Sequence, residues 1–232
     1  MNSGKSQEFV KSNYFNQAKP RLTRLAGKLF SDVSTILKDT ETIFDGMLPN
    51  LAYVEMPTHP LAPALFVCSV NLSLYLALKK YGINPHLFGS TMLFGLAAAP
   101  VNKPNESDQE RQESLAKFIS EAKNSQIENS EKGRDVFEIV AGDNAEFEWG
   151  YNIKSCAICY VAQKYNAMDL VPYMCAVDDV MSDKFLQGLR RTGSIAVGAS
   201  QCDFRFKQGG NPLKLADQYP NQIRIGYGAL LN

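Results

Sequence analysis

The chain has 232 residues, of which 45% are hydrophobic and 21% are charged, and this composition excludes wholesale disorder. Lysine and arginine total 24, aspartate and glutamate total 24, and the formal charge is therefore zero. Because no positive field is present to neutralise phosphates, nucleic acid is not expected as a partner. A chain of this length buries a hydrophobic core without metal or disulfide staples.

The first 132 residues are predicted to be mainly helical. Apolar residues spaced by threes and fours between residues 7 and 46 indicate the single face of amphipathic helices. Four prolines between Gly46 and Pro63 predict an irregular connector. Three further helices are predicted, at 64–81 (ended by Gly82), at 87–99 (ended by Pro100), and at 105–129.

Neither a membrane span nor a secretory signal is expected. The longest apolar run, 64–78, is interrupted by polar residues and is shorter than the roughly 20 residues that cross a bilayer. No continuous apolar segment follows Met1. The sequence therefore predicts no membrane partner.

Beyond residue 133 the pattern changes from helical to extended. Two short strands flank the turn Gly142-Asp143-Asn144 and predict a hairpin. The following segments are predicted as a helix at 155–165, an extended segment at 189–197, a strand at 201–206 and an irregular tail at 207–232. Because the helices come first along the chain and an antiparallel sheet follows them, the sequence predicts the α+β class. We expect one domain over 1–232, in which a mainly helical half (1–132) packs on a sheet-rich region (133–206).

Five cysteines, an odd number without a signal segment, predict free thiols in a reducing cytoplasm. Four lie in the last third of the chain: Cys156, Cys159, Cys175 and Cys202. Asp178 and Asp203 follow two of them closely, and Arg191 and Arg205 add planar cations suited to a carboxylate. A thiolate is a good nucleophile and a nearby carboxylate moves protons, so these residues predict a thiol and carboxylate site.

Other chemistries find less support in the residues. Cys156 and Cys159 have the spacing of a zinc knuckle, but no second pair completes four ligands. The same two cysteines fit a thiol redox pair, although the order of elements is not βαβ. His59 and His86, the only two histidines, lie far from any nucleophile motif. The sequence does not decide whether the protein binds a metal or any other cofactor.

Four blocks follow one another in the last third of the chain: Cys156, then Asp169-Leu170-x-Pro172-x-Met174-Cys175-x-x-Asp178, then Arg191-Thr192-x-Ser194-Ile195-x-x-Gly198, then Cys202-Asp203-Phe204-Arg205-Phe206. Taken in this order, they resemble the L-2-amino-thiazoline-4-carboxylic acid hydrolase family. The match covers about a quarter of the chain, and Tyr160 stands where members often carry glutamate.

The resemblance implies a ring-opening hydrolysis of a small cyclic amidine or amide that bears a carboxylate. In the family reaction, water adds to the amidine-like carbon of a thiazoline and the carbon–sulfur bond breaks. The implied catalytic residues are Cys156, Cys175, Asp178, Cys202 and Asp203. The implied substrate-binding residues are Arg191, Thr192 and Arg205.

Two other functional classes stay open. One is a non-catalytic small-molecule binding or sensor domain on the same scaffold, and the other is a thiol redox protein that uses Cys156 and Cys159. For a hydrolase the partner is a small-molecule substrate, and whether the chain forms a homo-oligomer is open. The location expected for all three classes is the cytoplasm.

Overall fold

A computed structural model describes residues 3–100, 110, 113, 116–120, 133–143 and 145–213. The chain divides into two compact units, each made of two separate stretches. Met1–Gly95 and Ala157–Met174 form the first unit, and Leu96–Cys156 and Cys175–Asn232 form the second.

The first unit is helical. Its helices are α1 (Ser3–Val10), α2 (Gln17–Leu29), α3 (Val33–Met47), α4 (Ala62–Lys79), α5 (Pro85–Ala98, of which residues up to 95 lie in this unit) and α6 (Ala157–Lys164). A π-helical segment, Lys11–Asn16, joins α1 to α2, and short 3-10 turns occupy Leu48–Asn50 and Met168–Leu170. The Asp32 side chain begins α3 by accepting a hydrogen bond from the Thr35 N–H at 3.1 Å.

Helix α4 is the core of the first unit and is buried on most of its surface. Leu65, Phe66, Val70 and Leu74 are among its fully or almost fully buried side chains. Among the described residues it is also the one helix long and apolar enough to cross a membrane. Of its 18 residues, 67% are buried. A mostly buried helix of this kind is typical of the core of a soluble protein.

Gly89 on α5 lies directly against the ring of Tyr173. A Cβ at this position would come within 2.2 Å of the Tyr173 Cγ, so Gly89→Ala is expected to lower the free energy of unfolding by about 1–3 kcal/mol through overpacking. A Cβ at Gly95, on the same helix, would have no atom within 4 Å. Gly95→Ala should therefore leave stability unchanged or raise it by up to about 1 kcal/mol, because alanine favours a helix. Urea unfolding of both variants tests this pair, and equal effects at the two glycines would contradict the packing argument.

The second unit contains a three-stranded antiparallel sheet in the order β1-β2-β3. The strands are β1 (Val136–Ala141), β2 (Trp149–Ser155) and β3 (Cys202–Phe206). Helix α7 (Val171–Phe185) belongs to this unit from Cys175 onward, and a 3-10 turn occupies Ile195–Val197. At the hairpin turn the Asp143 carboxylate accepts hydrogen bonds from the N–H groups of Ala145 and Glu146 at 2.9 and 2.8 Å.

Aromatic side chains cover one face of this sheet. In the β2–β3 register Tyr151 lies opposite Phe204 and Trp149 lies opposite Phe206, and both pairs stack with ring centroids 4.6 and 4.3 Å apart. Phe118, from a helical segment, contacts Trp149 and Tyr151 at 6.0 Å between ring centroids. Because side chains alternate along a strand, Cys202 shares this aromatic face, while Asp203 and Arg205 point to the other.

The α+β class predicted from the sequence is confirmed, since the helices come first and the antiparallel sheet second. The hairpin, the strand near 201–206 and the helices near 64–81, 87–99 and 155–165 are also confirmed. The extended prediction at 189–197 is wrong, apart from a bridge at Arg190. The N–H groups of Thr192 and Gly193 bond to the Asp203 carboxylate and not to a neighbouring strand, and Ser194 then begins a 3-10 turn.

Helix α7 was not predicted from the sequence, where 169–178 stood out only as a motif. Of the helix predicted at 105–129, residues 110, 113 and 116–120 are helical, and the rest lies outside the described residues. The predicted tail is described as far as residue 213. The prediction of one domain over the whole chain stays a prediction.

Candidate functional site

Helix α7 places the Cys175 thiol and the Asp178 carboxylate on one face, because residues three apart are neighbours on a helix. Both side chains are reached by solvent. Cys175 is half-buried, and 48% of the Asp178 side chain is exposed. The two groups therefore offer a thiol and a proton acceptor side by side.

Arg191 binds both residues of this pair. Its guanidinium donates to Asp178 Oδ2 at 3.0 Å and to the Cys175 carbonyl oxygen at 2.8 Å, and it reaches Asp179 Oδ1 at 3.4 Å. The same group lies over the Phe204 ring, 4.7 Å from its centroid. The Arg191 side chain is fully buried, so this cation positions the carboxylates and does not present itself to solvent.

Burial and charge act in opposite directions on Asp178. Desolvation raises the pKa of its carboxyl above the ordinary value of 3.8, while the Arg191 guanidinium acts to lower it. The exposed area shows that water still reaches the carboxylate. The rise in pKa therefore comes from close packing around a carboxylate that stays partly hydrated.

Ser194 links the two thiols of Cys175 and Cys202. Its hydroxyl donates to Cys175 Sγ at 3.7 Å, and the Cys202 thiol donates to Ser194 Oγ at 3.8 Å. The Ile195 N–H also donates to Cys202 Sγ at 3.3 Å. Ser194 is fully buried and its hydroxyl begins the 3-10 turn by accepting from the Ala196 N–H, so local backbone geometry fixes the bridge.

Burial favours the protonated form of both linked thiols, because it raises the pKa of each. Burial raises the pKa of Cys175 to about 12, although Arg191 acts in the opposite direction. Burial also raises the pKa of Cys202, against the lowering effect of its hydrogen bonds from Ile195 and Ser194. Cys156, which directly precedes α6, adds to both increases and therefore lies close to both thiols.

Asp203 and Thr192 are joined by hydrogen bonds. The Thr192 hydroxyl donates to Asp203 Oδ2 at 2.5 Å, and the N–H groups of Thr192 and Gly193 donate to Oδ1 at 2.9 and 2.7 Å. With three donors on one carboxylate, Asp203 fixes the course of the loop that follows Arg191. This arrangement gives both residues a positioning role in the loop that carries the buried arginine.

Arg205 lies on the face of β3 opposite to Cys202. Its guanidinium donates to Asn152 Oδ1 at 2.8 Å and to the carbonyl oxygens of Tyr151 and Phe204 at 3.2 and 2.8 Å. These bonds tie β2 to β3. Arg205 is therefore occupied within the sheet and does not face the thiols.

The structure brings together five of the eight residues predicted for the site: Cys156, Cys175, Asp178, Arg191 and Cys202. It places the other three in the loop and on the opposite face of the sheet: Thr192, Asp203 and Arg205. Among the described residues no group of three metal-ligating side chains is suited to hold a metal ion.

Three residues of this site were not predicted from the sequence. Ser194 bridges the thiols, Asp179 contacts the buried guanidinium, and Tyr151 lies near the acid. Burial raises the pKa of Tyr151, and the Asp178 charge adds to that rise. The signal for Ser194 was present, because a serine before a short helical turn is a typical N-cap.

The site lies within a segment of the chain that matches a known family model. Residues 97–206, a little under half of the chain, match the family model described as L-2-amino-thiazoline-4-carboxylic acid hydrolase. The matched segment contains all eight predicted site residues and confirms the predicted resemblance. No curated protein and no solved structure matches the chain.

Proposed function

Because residues 97–206 match the family model described as L-2-amino-thiazoline-4-carboxylic acid hydrolase, we propose that this protein opens a small cyclic amidine or amide by hydrolysis. The proposed substrate carries a carboxylate, like the compound named in the family description. The proposed partner is this small molecule alone, without nucleic acid or a membrane. The proposed location is the cytoplasm, which suits five cysteines in the thiol form.

The exposed Asp178 carboxylate, held by a fully buried arginine, is the observation that supports this proposal most strongly. A general base must be reached by water and must keep a fixed orientation. The 48% exposure of the Asp178 side chain satisfies the first requirement, and the 3.0 Å contact to Arg191 satisfies the second.

In the proposed reaction Asp178 removes a proton from a water molecule. The water oxygen bonds to the amidine-type carbon of the ring while the π electron pair of the C=N bond moves to nitrogen. The carbon–sulfur bond then breaks as the C=O bond forms, and the hydroxyl proton that is released passes to that nitrogen. The bonding electron pair goes to sulfur, which takes up the proton held by Asp178. The product is an open-chain carbamoyl thiol, so one water is consumed and no oxidant or reductant is needed.

Direct attack by Cys175 is the less favoured route. A thiol whose pKa lies at about 12 is almost wholly protonated at neutral pH, and the thiolate is the nucleophilic form. We therefore assign water, activated by Asp178, as the nucleophile. In this assignment the wall of the site beside the attacking water is formed by Cys175, Ser194 and Cys202.

The test is to incubate the full chain with 2-amino-thiazoline-4-carboxylate and follow the open-chain product by chromatography and mass spectrometry. The wild-type protein is expected to open the ring. Cys175→Ser is expected to keep at least about a tenth of the rate, because water and not sulfur attacks. Cys159→Ser, which changes another half-buried thiol, is the matched control and should keep the full rate.

Three outcomes would change the proposal. Complete loss of turnover in a folded Cys175→Ser variant would replace activated water by covalent catalysis. No turnover, with substrate that still raises the melting temperature, would favour the binding-domain class. No turnover together with a reversible Cys156–Cys159 disulfide would favour the redox class.

A further inference from the structure

The hydrogen bonds around Ser194 form a chain that runs in one direction. Ser194 is fully buried, and its hydroxyl oxygen accepts from the Ala196 N–H at 3.3 Å and from the Cys202 thiol at 3.8 Å. Its single proton goes to Cys175 Sγ at 3.7 Å. Because a hydroxyl has one proton and two lone pairs, these three contacts use the Ser194 hydroxyl completely.

The backbone fixes the start of this chain at Cys202. The Ile195 N–H donates to Cys202 Sγ at 3.3 Å, so the sulfur accepts while its own proton goes on to Ser194. A group that accepts a hydrogen bond becomes a better donor through its own proton. The Ser194 carbonyl oxygen also accepts from the Val197 N–H at 3.1 Å, which holds the serine in place. The protons therefore point from Cys202 through Ser194 to Cys175.

The Cys175 thiol is the end of the chain. Its sulfur accepts from Ser194, and the Arg191 guanidinium occupies the Cys175 carbonyl oxygen at 2.8 Å. Among the described residues no acceptor takes the Cys175 S–H proton. The side chain is half-buried and lies on the face of α7 that carries Asp178. The thiol therefore offers its proton to a molecule that binds against this face.

From this arrangement we infer that Ser194 is a positioning residue that holds the Cys175 S–H as a hydrogen-bond donor to the ring nitrogen of the substrate. The inference rests on the proposed hydrolysis. When water adds to the amidine-type carbon, an electron pair moves to that nitrogen, and a donor placed there stabilises the charge that develops. The thiol shares its proton in a hydrogen bond and keeps it, so the balance of the proposed reaction is unchanged.

The spacing of Cys175 and Asp178 suits the two ends of the reacting C=N bond. Side chains three residues apart on a helix have Cβ atoms about 5–6 Å apart. Asp178 activates the water that attacks carbon, and the nitrogen that needs a donor is bonded directly to that carbon. A ring that lies against α7 can therefore meet the activated water at carbon and the S–H at nitrogen. Burial, which raises the pKa of Cys175 to about 12, keeps the donor proton on sulfur at neutral pH.

The first experiment compares kcat and KM for the opening of 2-amino-thiazoline-4-carboxylate by the full chain. Cys175→Ser keeps a donor and Cys175→Ala removes it, so kcat of the alanine variant should be at least about fivefold below that of the serine variant. KM should change less than about twofold, because the bond strengthens only as charge develops. Ser194→Ala should lower kcat about fivefold, and Ser194→Thr, which keeps the hydroxyl, should restore most of the loss.

Ser182→Ala is the matched control for Ser194→Ala. Ser182 is another buried serine of the same unit, 1% exposed, and its hydroxyl accepts from the Leu189 N–H at 2.9 Å. Its removal costs a buried hydrogen bond but touches neither thiol. Ser182→Ala should therefore keep kcat within about twofold of the wild type even where its stability falls.

Infrared spectra of the S–H stretch test the direction of the chain without any turnover. Difference spectra against Cys175→Ala and Cys202→Ala assign the two bands. In the free protein the Cys202 band should lie at the lower frequency, because only Cys202 donates its proton to a protein group. Ser194→Ala should move the Cys202 band to higher frequency. Adding 2-amino-thiazoline-4-carboxylate to Asp178→Asn, which is expected to turn over slowly, should move the Cys175 band to lower frequency.

Equal kcat values in Cys175→Ser and Cys175→Ala would overturn the inference and leave the proposed hydrolysis standing. A Cys202 band that Ser194→Ala does not move would also overturn it. Should Ser194→Ala unfold, a Cys175 band at or below the Cys202 frequency in the wild-type chain would do the same. No ring opening by the wild type would overturn the proposed function and with it the donor role at a ring nitrogen, whereas the free-protein bands would still report whether Ser194 orients the two thiols.

Discussion

Replacing Arg191 by methionine is expected to lower the free energy of unfolding by about 3–5 kcal/mol, the usual cost of removing one partner from a buried ion pair. Arg191 is fully buried, and its guanidinium contacts two carboxylates and the Cys175 carbonyl oxygen. Methionine matches much of the volume of the Arg191 side chain but has no hydrogen-bond donor and no charge. The variant leaves the almost fully buried Asp179 carboxylate without that cation, and this desolvated charge dominates the loss.

Urea unfolding monitored by circular dichroism measures this change. The matched control is Arg190→Met, because Arg190 is exposed and pairs with Arg205 through backbone atoms that the substitution keeps. That control should stay within about 0.5 kcal/mol of the wild type. Arg191→Lys should fall between the two, because lysine restores the charge but not the planar fork. A loss below about 1 kcal/mol in Arg191→Met would show that Arg191 does not anchor these carboxylates.

Much of the fold was predictable because local signals agree with the final structure. The hairpin follows from alternating residues around a Gly-Asp turn, and the Asp143 carboxylate does cap that turn. Helix α4 follows from its long apolar run and ends before Gly82, whose φ of 84° suits glycine. The wrong prediction at 189–197 arose because two of its backbone donors, at Thr192 and Gly193, bond to the side chain of Asp203 and not to a neighbouring strand.

The site was predictable in residue type but not in role. The motif blocks identify Arg191 as a cation suited to bind a carboxylate. Only the structure shows that its guanidinium is buried against Asp178 and Asp179. Asp203 has the sequence position of a catalytic acid, yet three hydrogen bonds commit its carboxylate to the loop. Sequence spacing cannot distinguish these cases, because burial and orientation depend on contacts between α7, β3 and the loop before β3.

Asp178→Asn is expected to lower kcat/KM for ring opening by about 10²–10⁴-fold, the usual contribution of a general base. Asparagine keeps an oxygen that accepts from Arg191, so the change removes the proton acceptor and preserves the packing. Because the Asp178 side chain is about half exposed, its ion pair adds little to stability, and we expect a loss of no more than about 1 kcal/mol. Asp183→Asn, on the same helix, is the matched control and should keep the wild-type rate.

The pH dependence of kcat/KM provides the second measurement for Asp178. A general base works in its ionised form, so the rate falls as the pH decreases through the pKa of this carboxyl. Desolvation raises that pKa above 3.8, and the acid limb of the wild-type profile should therefore lie at a higher pH than an ordinary aspartate gives. The limb should disappear in Asp178→Asn and persist in Asp183→Asn. An acid limb that survives in Asp178→Asn would assign the proton transfer to another group and would leave Asp178 as a partner of Arg191 only.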